Sequence, residues 1–182
     1  GRCAYMTTNG HRPFPSSYTC NIDDESCVAM CVCNEGYAGN ICAYTSQEFA
    51  DRQLVKYNLL QSLQNLTELE DRNAESVENW MNTLSSIFTN ELEYIGISAL
   101  ETKSLILFLL DLANQYQLSV NSIQLLQSTI DEISQYETTQ SVESLYELIY
   151  EYITAFSAST LPGESYSMST GRISMAMAAF PA

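Results

Sequence analysis

The chain has 182 residues, 46% of them hydrophobic, and a formal charge of −15, enough for one medium domain plus one small module. So acidic a surface repels phosphate backbones and anionic membrane surfaces, and no basic patch offsets it, which argues against nucleic acid as a partner. The best apolar run, Leu105 to Leu110, is followed at once by Asp111, far short of the roughly 18–20 residues that span a bilayer.

All six cysteines lie between Cys3 and Cys42. A segment this short cannot bury enough apolar surface to fold unaided, so covalent staples replace the core. Zinc is the rival explanation: Cys27 and Cys31 could form one knuckle, but the other cysteines lack a matching group. Disulfides place the chain in an oxidising compartment, extracellular or at the cell surface. Sequence alone allows fifteen pairings of six cysteines.

The run Cys31-Val-Cys33-Asn-Glu-Gly36-Tyr37-Ala-Gly39-Asn-Ile-Cys42 resembles the second half of an EGF-like module, and the resemblance covers residues 3–42. It implies the pairs Cys3–Cys27, Cys20–Cys31 and Cys33–Cys42. Its physical sense is a tight hairpin in which Gly36 and Gly39 supply positive-φ backbone and Tyr37 packs on the disulfides. The chain departs from the common pattern in its long first loop, which includes Asn9-Gly10 and Pro13-Phe14-Pro15, and in the short step from Cys27 to Cys31. The calcium-binding subtype carries an acidic motif just before the first cysteine. Only Gly1 and Arg2 precede Cys3 here, so the stretch that would carry this motif lies outside the sequence: no cofactor is expected, and calcium stays open without being indicated. Asp23-Asp24-Glu25 reads as a solvated acidic turn, with a calcium or partner contact as the alternative.

Residues 46–157 hold seventeen acidic groups against four basic ones, no proline, and Gly96 as their one glycine. Apolar residues recur at helical spacing almost throughout. The first helix is expected over Ser46–Asp71, opened by a capping box of Thr45 and Glu48, with Val55, Leu59, Leu63 and Leu66 as its inner stripe. The second runs over Ala74–Thr89, capped by Asn73, with Val77, Trp80, Met81, Leu84, Ile87 and Phe88 on one face. A capping box at Ser98 and Glu101 opens the third, which runs to Tyr116. Its centre is apolar all round, so it is expected in the middle of the bundle. The fourth spans Val120–Tyr136, with Ile123, Leu126, Ile130 and Ile133 inward. The fifth spans Ser141–Ala155, with Val142, Leu145, Ile149, Tyr152 and Phe156 lining its inner face. Such stripes are read as folded core, with a self-association seam as the alternative. Short loops fit an antiparallel bundle of about five helices.

After Ser157 the composition changes. Pro162-Gly163 breaks the helix. Tyr166 and Met168 then alternate with serine, and Ile173, Met175 and Met177 alternate with small residues. This predicts a β-hairpin turning at Thr170-Gly171, either beginning a further domain or packing on the bundle. The domains read as 1–44, a disulfide-rich EGF-like module; 45–157, the all-α bundle; and 158–182, a Ser/Thr-rich link and hairpin. Both ends read as cuts in a longer chain, or as processing sites.

Catalytic chemistry finds little footing. His11 is the one histidine, and it lies in the long loop of the module. There is no H-E-x-x-H, P-loop, G-x-G-x-x-G or EF-hand loop, and no Glu-x-x-His pair for a di-iron site. Glu143, Glu147 and Glu151, with Tyr146 and Tyr150 nearby, read as a solvated helix face. Asn65-Leu66-Thr67 is an N-glycosylation sequon, and residues 157–170 could carry O-glycans.

The expectation is a non-catalytic, extracellular structural or adhesive segment that packs against copies of itself, other extracellular proteins or glycans. The module order resembles that of large modular surface proteins of protists and algae, such as flagellar-hair (mastigoneme) proteins, which implies a fibre subunit. The alternative is the ectodomain of an adhesion-receptor or polycystin-like membrane protein. Helices followed by Pro-Gly and Ser-rich strands are similar to the entry of a GAIN-type domain, although no His-Leu-Ser/Thr-like cleavage tripeptide is present.

Overall fold

The structure, a computed structural model, describes residues 1–7, 21, 27–39, 41–88, 96–134, 142–169 and 174–179. His11, Cys20, the acidic turn Asp23-Asp24-Glu25 and the turn Thr170-Gly171 lie outside these residues. The chain forms two compact units, Gly1–Leu54 and Val55–Ala182. The division falls within the first helix, ten residues beyond the expected boundary at residue 44.

In the first unit, β1 (Arg2–Thr7) pairs antiparallel with β2 (Cys27–Val32), and β3 (Tyr37–Ala38) with β4 (Tyr44–Thr45). Cys33 and Cys42 are joined, their Cα atoms 5.3 Å apart, and Cys27 is disulfide-bonded as well. The ladder sets Cys3 opposite Cys31 and Thr7 opposite Cys27. That register leaves roughly 13 Å of strand between the backbone positions of Cys3 and Cys27, beyond the ~4.4–6.8 Å between Cα atoms that a disulfide bridges. It does not bring these two residues together.

The loop inside the Cys33–Cys42 bridge turns through Gly36 (φ +83°) and Gly39 (φ +91°), as the glycine spacing predicts. Gly39 has a second reason: a Cβ there would lie 3.0 Å from the Tyr44 ring. Tyr37 does not cover the disulfide as expected. It is 54% exposed, and Tyr44 packs at Gly39 instead, with the Arg52 guanidinium 4.5 Å from its ring centroid.

The first helix, α1, spans Ser46–Leu69. Its capping box is reciprocal. The Thr45 amide and hydroxyl both donate to Glu48 Oε2, at 2.8 and 2.9 Å, and the Glu48 amide donates back to Thr45 Oγ1 at 3.2 Å. These donors hold the Glu48 carboxyl below its ordinary range.

In the second unit α1 is followed by α2 (Ala74–Ile87), α3 (Gly96–Tyr116), α4 (Val120–Ser134) and α5 (Val142–Ser159). Asn73 caps α2, its side chain accepting from the Ser76 amide at 3.0 Å. α2 packs on α3 and α4, and α5 also packs on both. α3 lies against α2, α4 and α5, as its all-round apolar centre predicts, with Leu105, Ile106, Leu109, Leu110, Leu112 and Ala113 all buried. Every apolar residue assigned to the inner faces of α2 and α4 is buried.

Three expectations fail. α3 begins at Gly96, so Ser98 lies inside the helix rather than capping it. α5 runs four residues past Ala155; Thr160 closes it, its hydroxyl donating to Phe156 O at 2.8 Å. And the expected stripe of α1 does not face the core. Leu63 is buried, but Val55, Leu59 and Leu66 are exposed, and Leu60, Leu63 and Thr67 form the inner face. The doublet Leu59-Leu60 offers two apolar stripes one residue, or about 100°, apart. Packing selects the one through Leu60.

Pro162-Gly163 turns the chain into β5 (Ser165–Ser169) and β6 (Ser174–Ala178), paired with Tyr166 opposite Met177. Tyr166, Met175 and Met177 pack on the bundle core, and Phe156 meets the Tyr166 ring edge-on at 5.5 Å. Among the described residues Lys103 Nζ, Gln127 Nε2 and Thr129 Oγ1 are buried without a hydrogen-bond partner, an arrangement that costs stability.

Leu84→Ala is expected to lower unfolding free energy by about 3 kcal/mol, and Gln127→Met to raise it by about 1 kcal/mol by removing an unsatisfied donor. Denaturant titration read by Trp80, the one tryptophan, measures both. Because Glu48 is lowered on folding, its cap holds above the ordinary carboxylate range and is lost as pH falls through the lowered value. The protection of the Thr45 amide, its exchange rate measured against the intrinsic rate at the same pH, should therefore fall at acid pH, and Glu48→Gln should weaken that pH response.

Candidate functional site

Two surface features of the second unit stand out. The first is the outer side of α1. Val55 is 57% exposed, Leu59 49%, Leu66 45% and Leu69 86%. Scattered exposed leucines are ordinary, but four large apolar side chains in one helical row are a patch of the kind that marks an interaction surface. The inner side of α1 is fixed by burial of Leu60 and Leu63, and by Gln61 Nε2 donating to Glu101 Oε2 at 2.9 Å. Just past the helix, Trp80 Nε1 donates to Glu70 at 2.7 Å and the Tyr116 hydroxyl to Arg72 O at 2.8 Å. With its inner side and its end both anchored, α1 cannot roll to hide the outer row.

The second feature is a cleft of about 730 Å³ between the α3–α4 turn and the chain leaving α5, lined in part by Asn114, Gln117, Asn121, Thr154, Glu164 and Tyr166. Glu164 Oε2 accepts from the Leu161 amide at 2.9 Å and from the Tyr166 hydroxyl at 3.0 Å. That carboxylate beside the phenol raises the Tyr166 pKa above its ordinary value. The Thr154 hydroxyl donates to Tyr150 O at 2.8 Å, so no base prepares it to attack a substrate. Among the described lining residues Glu164 is the one carboxylate, and the rest of the polar lining is neutral; paired-acid hydrolysis uses two carboxyl groups.

The remaining sequence-predicted residues are dispersed. Asn65 is exposed on α1, while Thr67 of its sequon is buried, with its hydroxyl donating to Gln64 O at 2.8 Å. On α5, Glu147, Tyr146 and Tyr150 are exposed and Glu151 is half-buried, so the expected solvated face is open only in part; the Glu143 side chain lies outside those described. Cys33 and Cys42 are brought together. Among the described residues no group of three or more His, Cys, Asp or Glu side chains could hold a metal ion, and no helix is long and apolar enough to cross a membrane. Compared with known proteins, the chain matches no family model, no curated protein and no solved structure.

Sequence reading missed the outer row of α1 because it assigned three of its residues, Val55, Leu59 and Leu66, to the core and did not place Leu69. The available signal was excess: α1 carries more leucines than one buried face can take. The cleft had no signal, since its walls come from separate segments with no shared motif.

Glu164→Gln is expected to return the Tyr166 pKa toward its ordinary value of 10.0, a downward shift readable in a ring-carbon NMR titration.

Proposed function

We propose that this chain is a non-catalytic structural or adhesive segment of an extracellular protein, a subunit of a cell-surface or secreted fibre built through protein–protein contacts. The observation that carries this reading is the fixed outer row of α1, with Val55, Leu59, Leu66 and Leu69 held in water. A surface of this kind costs solubility unless another protein covers it. The Cys33–Cys42 bridge fits an oxidising compartment, and residues 3–42 serve in this reading as an EGF-like module. In the same compartment Asn65, exposed on α1, accepts an N-glycan.

A second reading, the ectodomain of an adhesion-receptor or polycystin-like membrane protein, draws on the hairpin. β5 and β6 follow the helices directly and pack on them through Tyr166, Met175 and Met177, the order in which a GAIN-type domain begins.

Electron microscopy of the native material, together with detergent fractionation, separates the two. Ordered fibres with a repeating subunit support the first reading. Dispersed particles that need detergent for release contradict it and support the second. An intact-mass difference on deglycosylation that vanishes in Asn65→Gln identifies the sugar-bearing residue. An unchanged mass removes Asn65 from the account.

A further inference from the structure

We propose that α1 pairs with α1 of a second copy of this chain along the row Val55, Leu59, Ser62, Leu66 and Leu69. The inference rests on the reading above that the chain works through protein–protein contacts, and it names the partner. The row advances in steps of four, three, four and three residues. That is the alternation of the a and d positions of a heptad, the spacing that keeps one stripe of a helix against another helix along its length. A helix that merely tolerates stray leucines has no reason to hold this alternation on its outer side while Leu60 and Leu63 serve the inside.

Charge favours a second copy, and the area fits a weak, reversible contact. The row leaves roughly 400 Å² of surface exposed, within the range for single monomers, so two copies bury roughly 800 Å². Heptad geometry sets Lys56 on the flank of the row. A parallel partner places Asp51 of the second copy opposite it, and an antiparallel partner places Glu70 there. In either direction opposite charges meet. Small Ser62 at the middle position lets the two backbones approach.

The opposing force is the formal charge of −15 on each copy, which salt screens. The pairing therefore strengthens as ionic strength rises. Being isologous, it closes a dimer, and a fibre then needs one further contact elsewhere on the molecule.

The test is sedimentation equilibrium of the full chain carrying Asn65→Gln, which leaves no sugar beside the row, over about 1 to 200 μM. In ~0.3 M salt the mass should rise from that of one chain to twice that value, and the rise should be smaller at low salt. Leu59→Glu with Leu66→Glu should stay monomeric throughout while keeping its helical far-ultraviolet spectrum, since neither side chain belongs to the buried core. Leu60→Ala should lower the thermal midpoint and still dimerise. Dimers that persist in the double glutamate variant overturn the pairing but leave the assembly reading intact. A chain monomeric throughout also overturns it: if the native material is fibrous, only the pairing is lost, and if it is dispersed, both are.

Discussion

α3 is the helix against which α2, α4 and α5 all pack. Leu105, Ile106, Leu109, Leu110, Leu112 and Ala113 are all buried on an arc of about 160°; beyond that arc Leu107 and Phe108 are half-buried, and Ser104 and Asp111 between them are exposed. No single neighbour covers so wide an apolar face. α2 and α4 each present one inward stripe, and α5 brings Leu148, Tyr152, Ala155 and Phe156 to the same core. The hairpin adds Tyr166, Met175 and Met177 to that core. Its small residues, Ser165, Ser167, Ala176 and Ala178, stay exposed, as the period of a strand dictates.

α1 is the element this arrangement leaves over. It reaches the core through Leu60 and Leu63, and its polar anchor is Gln61 on Glu101. α1 carries apolar residues on two faces, and only the one through Leu60 and Leu63 is buried; Val55, Leu59, Leu66 and Leu69 stay in water. The protein's strongest candidate for a function is thus a by-product of how its core is filled. The acidic surface works in the opposite sense. It keeps an exposed apolar row from nonspecific collapse and sets a threshold that only a matched partner overcomes.

Much of the fold was legible in the sequence where a helix has one apolar face. α2 and α4 are placed within a few residues, with every assigned core side chain buried. The Asn73 cap and the Thr45–Glu48 box are local chemistry and were readable as such. Ser98 misled because a capping motif says where a helix can start, and α3 starts one half-turn earlier at Gly96. Tyr37 misled because Gly39 lets Tyr44, from the next strand, approach first. α1 was illegible for a physical reason. The doublet Leu59-Leu60 permits two rotations, and only the presence of α3, distant in sequence, decides between them. The cleft at Glu164 and Tyr166 was illegible because its walls belong to segments that meet only in the folded chain.

The two faces of α1 can be read separately by hydroxyl-radical footprinting of the native assembly against the isolated chain in dilute solution. Leu60 and Leu63 should be protected in both, since the chain's own core covers them. Leu59 and Leu66 should react readily in the isolated chain and become protected in the native assembly. Equal reactivity of Leu59 and Leu66 in the two samples would contradict the account, because the outer row would then meet water in the working state of the protein.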